Sequence, residues 1–524
     1  SSGRFSSYDL VRAIRMDCRA LHFRRPVRAR RAAIMSVVAW IIPAAALWAQ
    51  SPQPVNELDY VLPASSLQTA LEAGGAEAEA AALGSEELVA RLLAAEERIL
   101  ALEAERSAPL TAPEEEVAEE PEQPEPPAEE PEKKWYDKYT VRGYAQFRIN
   151  EVMDFGPNSA PAQVVGDRSV GDDQNFLIRR ARLIFAGDIS EHLYVYLQPD
   201  FAVQPPGSPD ANHFAQIRDW YGDIYWDADK VNRFRVGQSK IPYGWENMQS
   251  SSNRIPLDRN DALNSAARNE RDLGVFYYWT PQSAQEIFTW VNDTGLKGSG
   301  NYGIFGFGAY NGQGGSFQEQ NDNLHVIARL TVPFFIHDCQ LVEVSMQGYT
   351  GKYTVLSTPI SPLGVGAPVR PAGTLEAGNR PGIRDERLAW TFVYYPQPLG
   401  FQSEWNIGRG PALNDAQTEV GERDLHGGYA MAFYRLQTAC HGEFWPFVRY
   451  NYYRGGYKPE RNAPYSFIDE WEAGVEWQFN KQVELTTGFT YTDRTNTTAQ
   501  NAADTLSYGQ FVGDLARVQL QINY

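Results

Sequence analysis

Cysteine is nearly absent: the 524 residues contain three, Cys18 near the start and Cys339 and Cys440 far downstream. So few cysteines exclude a disulfide scaffold. His337 near Cys339 and His441 beside Cys440 fall in separate short turns. A zinc site needs four converging ligands, so no metal is expected. Histidine is scarce too, at seven, and none sits in a convincing serine constellation, so no enzyme is expected either. Positive charge is also in deficit. The formal net charge is -19, and only the first 50 residues are basic, with nine Arg against two Asp. Nothing downstream is a nucleic-acid binder. Long apolar runs are lacking except for one, residues 32–49, "AAIMSVVAWIIPAAALWA", which follows the basic stretch "RRPVRARR". Its short apolar core is broken by Pro43, so it is expected to be a cleaved secretory signal ending at Ala49 rather than a membrane anchor.

What is present is organised in blocks. After the leader and signal peptide (1–49) comes an expected periplasmic segment (50–110). In it Leu88, Leu92, Ala95, Ile99 and Leu102 form an a/d seam of about two heptads. Alone that seam is short, so it is either a coiled coil assisted by a trimer held together elsewhere or a single amphipathic helix. Residues 111–134, "TAPEEEVAEEPEQPEPPAEEPEKK", cannot bury a core and are expected to be a disordered spacer.

From Trp135 to the end (135–524) the texture changes. In "YTVRGYAQFRIN" (139–150), Tyr139, Val141, Ala145, Phe147 and Ile149 alternate with Thr140, Arg142, Gln146 and Arg148. The final "ARVQLQINY" repeats the pattern. Period-two alternation gives a ribbon with one apolar and one polar face. Sixteen such segments can be read, joined alternately by tight and long connections, which predicts an all-β, transmembrane antiparallel β-barrel of about 16 strands. Low mean hydropathy, -0.45, with 13% aromatic residues fits such a barrel, because alternation hides its apolar half. Residues 281–300 are ambiguous: "EIFTWVND" has the composition of a strand where a short turn is due, so the count could change by two. A soluble β-sandwich is the competing fold, and a signal peptide followed by sixteen such segments disfavours it.

Four stretches resemble the phosphate-selective porin O and P family: "WYDKYTVRGYAQFRIN", "FLIRRARLIFAGDISEHLYVYLQPDF" (176–201), "FRVGQSKIPYGWENMQSSSNRIPLDR" (234–259) and "RNERDLGVF" (268–276). The resemblance implies a homotrimer of sixteen-stranded barrels in the outer membrane, embedded in its lipid, each with its own pore narrowed by the third outer loop. The strand count independently makes residues 243–270 that loop. A segment inside a watery lumen need not alternate, because wall and water can satisfy its backbone.

Selectivity in a wide pore comes from charge at its narrowest place, and arginine suits phosphate and carboxylate through its permanent charge and planar fork. Parity places Arg142, Arg148, Arg180, Arg182, Arg449 and Arg517 in the lumen, together with Asp200, Asp219, Asp223, Glu404, Glu472, Glu476 and Glu484. The loop region adds Arg254, Arg259, Arg268 and Arg271, with Asp258, Asp261, Glu270 and Asp272 to balance them. Lys240 is an inward candidate by the resemblance; alternation puts it opposite Arg235 unless a bulge near Gly237 shifts the register. Either the loop arginines set permeation or the acids neutralise them into a structural network. The function expected is passive diffusion of small hydrophilic solutes, leaning towards phosphate-like anions and needing no cofactor. The alternative is an envelope tether or adhesin scaffold whose barrel is closed.

Overall fold

A computed structural model of the chain describes residues 134–155, 164, 167, 169–170, 175–203, 214–315, 317–337, 339–360, 368–377, 381–498 and 507–524. The expected signal peptide, heptad segment and Pro/Glu spacer lie outside them, apart from Lys134.

Sixteen antiparallel strands form one closed sheet. In chain order they are β1 (Tyr139–Phe155), β2 (Asn175–Ser190), β3 (Leu193–Val203), β4 (Phe214–Tyr225), β5 (Asn232–Lys240), β6 (Arg271–Trp279), β7 (Phe305–Tyr310), β8 (His325–Ile336), β9 (Gln340–Tyr353), β10 (Ile383–Tyr394), β11 (Leu399–Leu413), β12 (Val420–Tyr434), β13 (Glu443–Gly456), β14 (Tyr465–Gln478), β15 (Val483–Thr498) and β16 (Ser507–Asn523). A break at Arg435 interrupts β12, which resumes as Leu436–Gln437 along the same neighbour, β13. Each strand pairs with the next, and β1 pairs with β16. Gly143 and Tyr524 exchange backbone hydrogen bonds of 2.6 and 3.0 Å at that seam. Among the described residues no edge strand is left without a neighbour, as a spanning sheet requires.

The pleat sorts the residues by solvent. Along β8, His325, Ile327, Arg329 and Thr331 are buried inside, while Val326, Leu330, Val332 and Phe334 are exposed outside. The same alternation exposes Val141, Leu183, Trp220, Val275, Phe307, Met346, Trp390, Ile407, Trp471, Phe489 and Leu520 around the whole perimeter. A continuous exposed apolar band of this extent would be insoluble in water and is what a lipid-facing wall presents.

Residues 281–300 are not a strand. Gln282–Asp293 is an α-helix starting after Pro281, so the strand count stays at sixteen. Its Ile, Phe, Thr, Trp and Val favour strands locally, but tertiary packing decides. At helical spacing, Ala284, Ile287 and Val291 share a face, and Val291 and Ile287 join a buried cluster with Trp245, Leu341, Val393 and Tyr395. The helix ends in a left-handed turn at Gly295 (φ 69°). There Leu296 N–H donates to Val291 O (3.0 Å) and Gly295 N–H to Asn292 O (3.1 Å), while Leu296 packs with Val291. This is the Schellman arrangement.

Candidate functional site

The connection between β5 and β6, residues 241–270, folds into the barrel. It carries two short helices, α1 (Trp245–Met248) and α2 (Asp261–Asn264); the longer helix Gln282–Asp293 is α3. Side chains of the wall satisfy the ends of both short helices. At α1, Glu404 of β11 accepts from the N–H groups of Trp245 (2.5 Å) and Glu246 (2.8 Å). Asn260 caps α2, its side chain accepting from Ala262 N–H at 3.0 Å and donating to Asn451 of β13 at 3.0 Å. Arg387 of β10 donates to Ser265 Oγ (2.7 Å), Ser265 O (3.1 Å) and Ala262 O (3.3 Å) at the other end of α2. A carboxylate therefore meets free N–H groups and a guanidinium meets free carbonyls, each at the helix end whose partial charge it complements. Parity places Glu404 and Arg387 inside the barrel, but their partners lie 122 to 159 residues away, which no local pattern reveals.

Five of the ten candidate cations are paired to carboxylates. Arg148 meets Asp167 and lies 3.1 Å from Asp258. Arg182 is 2.8 Å from Asp200, and Arg259 is 3.0 Å from Glu270. Arg271 bridges Asp219 (2.9 Å) and Glu270 (2.8 Å), while Arg449 bridges Glu246 (2.9 Å) and Glu472 (2.7 Å). Burial alone would raise the carboxyls of Glu270 and Asp258. The guanidinium groups of Arg259 and Arg271 outweigh it at Glu270, those of Arg148 and Arg517 at Asp258, and both acids are held well below the usual range.

The other five are arranged differently. Arg180 donates to the neutral Gln146 (2.7 Å). Arg254 donates to the carbonyls of Pro256 (3.1 Å) and Leu257 (2.7 Å), and its Nη1 has no partner among the described residues. Arg268 donates to the Pro459 carbonyl and lies over the Phe317 ring. Lys240 donates to the carbonyls of Met248 (3.0 Å) and Gln249 (2.8 Å), so its ammonium does face inward. No bulge brings it there: the β5–β6 register runs unbroken through Gly237↔Gly274 to Lys240↔Arg271, and the inward turn comes at the strand end. Arg142, near the opposite end of β1, is exposed and has no ion pair among the described residues.

Around β1, β2 and the loop the balance is uneven. Arg180 has Arg148, Arg179, Arg182 and Arg254 as its charged neighbours. The acids pairing within this group and with Arg517 are Asp167, Asp200, Asp258 and Glu472. Six arginines thus share four carboxylates as ion-pair partners among the described residues, and one of the four, Glu472, is shared with Arg449 as well. Carbonyls and amides satisfy the geometry of the remaining guanidiniums without cancelling their charge.

A family model described as phosphate-selective porin O and P matches residues 162–524. No curated protein matches the chain. Similar solved structures include the outer membrane channel DcaP of Acinetobacter baumannii (10% identity, 74% of this chain, 97% of that one, TM-score 0.44). OmpT of Vibrio cholerae, in its trimer form, is 12% identical over 74% of this chain and 100% of that one, with a TM-score of 0.43. An anion-selective porin from Comamonas acidovorans is 10% identical over 74% and 99%, with a TM-score of 0.40.

Proposed function

Since this chain belongs to the phosphate-selective porin O and P family and is an outer-membrane porin, we propose that its lumen passes small hydrophilic solutes passively with a preference for phosphate-like anions. The observation that carries the preference is the excess of arginine over paired carboxylate, six to four, around β1, β2 and the inward loop, with Arg180 and Arg254 meeting only neutral groups. One uncompensated charge 4 Å from an ion is worth ~1 kcal/mol even in bulk-like water, about a fivefold bias, and more where the wall displaces water. The buried ion pairs around it contribute rigidity rather than net charge. The gradient of the solute is the driving force, so the protein supplies only a hydrated path whose local field favours one sign.

Assembly as a homotrimer in outer-membrane lipid is part of the proposal. So is a periplasmic position for the segment before the barrel, with the leader at 1–49, the short coiled coil within 50–110 and the spacer at 111–134.

Reversal potential in a KCl gradient across a planar bilayer tests the anion preference. The wild type should be anion-selective, and Arg180→Gln with Arg254→Gln should weaken that selectivity while leaving the arginine–carboxylate pairs intact. Cation selectivity in the wild type would overturn the preference. An absence of current would favour the tether or scaffold role instead.

A further inference from the structure

The connection from β6 to β7, residues 280–304, lies at the end of the barrel that holds the short turns, the start of β1 and the end of β16, the periplasmic end of such barrels. It does not hang below the wall. Beyond α3, the chain enters the lumen and reaches staves on both sides. Towards β5, Asn301 O accepts from Arg233. Towards β14, Lys297 Nζ is 2.7 Å from Glu476 Oε1. Between them, Arg435, just past β12, donates to Thr294 O (2.9 Å), and Val291 and Leu296 pack with Leu341 of β9 and Val393 of β10. In a ring of sixteen strands, β5 and β14 are seven staves apart by the shorter route. A segment that touches both crosses the barrel.

It also meets the loop that enters from the other side. Gln249 Nε2 donates to Lys297 O (3.1 Å), Asn253 Nδ2 donates to Gly298 O (3.1 Å), and Trp245 packs on Val291 and Leu296. The cavity left between the two, lined by Trp245, Glu246, Gln249, Lys297, Tyr395 and Phe433 among others, is about 10 Å³, room for one water at most. Lys297 is buried there with its ammonium over the Trp445 ring as well as beside Glu476. Glu484, on the lumen face of the next strand, is the diagonal cross-strand neighbour of Glu476, which stands opposite Thr486 while Glu484 stands opposite Gln478.

We infer that residues 280–304 form the periplasmic floor of the constriction, and that Lys297 masks the Glu476–Glu484 pair which would otherwise draw cations into that half of the pore. The floor and the inward loop together set the bore, and Lys297 is a specificity-determining residue for permeation. This inference rests on the lumen conducting, though not on the anion preference proposed above.

The test uses the full refolded chain in planar bilayers. Lys297→Gln should move the reversal potential towards cation selectivity, Glu476→Gln should move it towards anion selectivity, and the double variant should return close to the wild type. Replacing residues 283–300 with a short Gly/Ser turn should raise single-channel conductance severalfold. Unchanged selectivity in both point variants, or an unchanged conductance in the shortened chain, would overturn the inference. If the shortened chain does not assemble, the point variants alone decide. A silent wild type that gains current on shortening would overturn free passive diffusion yet support the floor, whereas silence in both would overturn both.

Discussion

Single side chains hold the loop in place by completing its backbone. Glu404 takes two N–H groups at the start of α1, so Glu404→Ala should leave both buried without an acceptor, at a cost of about 1–3 kcal/mol for each group left unsatisfied. Loss of the folded band at a lower temperature in semi-native electrophoresis, together with noisier single-channel current, is the expected result. Asp261 offers a pH test. Burial raises its carboxyl to about 6 despite the nearby Arg494, with Glu470 adding to the effect. A carboxyl raised above its unfolded value of about 3.9 favours the folded state fully below that value and loses its contribution as pH rises through about 6. Asp261→Asn should therefore raise the melting temperature at pH 8 by a few degrees, on the order expected for 1–3 kcal/mol, and give no gain at pH 4. A gain that persisted at pH 4 would assign the effect to packing.

At the scale of elements, α3 shows a tertiary environment overriding local preference. Its termination depends on the positive φ at Gly295, where a β-branched side chain is strained by about 1 kcal/mol or more. Gly295→Val should loosen the helix end, read as faster cleavage between residues 282 and 304 by a protease supplied from the periplasmic side. The strands themselves were legible in the sequence, because alternation is a local property and β1, β8 and β16 each display it over many residues. The place of the inward loop was legible for the same reason, since it follows from counting strands. Pairing was not. Parity states which face Arg148 or Arg449 occupies but not that Asp258 and Glu246, on the loop, will meet them, because those contacts join residues 110 and 203 positions apart. The helix has a signal in the sequence: Pro281 just before its first turn and Gly295 just after its last are the expected punctuation of a helix. Lys297 had none, as its role depends on a segment crossing from one wall to the other.

The barrel is inside-out relative to a water-soluble domain: the apolar band faces outward and the buried charges face the axis. The two faces should answer differently to the same residue. Leu388, exposed on the outer face of β10, replaced by Arg should destabilise the barrel by about 2–4 kcal/mol near the membrane midplane. Thr486, on the lumen face of β15, replaced by Arg should chiefly change ion selectivity. Folding free energy in lipid vesicles compared with reversal potential separates the two outcomes, and equal destabilisation at both positions would contradict the assignment of faces.

The segment crossing the lumen also has a mechanical meaning. A thin-walled cylinder under lateral pressure fails by flattening, and a member tied to nearly opposite walls resists that mode directly. Arg233 holds Asn301 at one side and Glu476 holds Lys297 at the other. The stretch from 280 to 304 therefore acts as a cross-brace for the periplasmic rim, keeping the ring round as the surrounding bilayer presses on it.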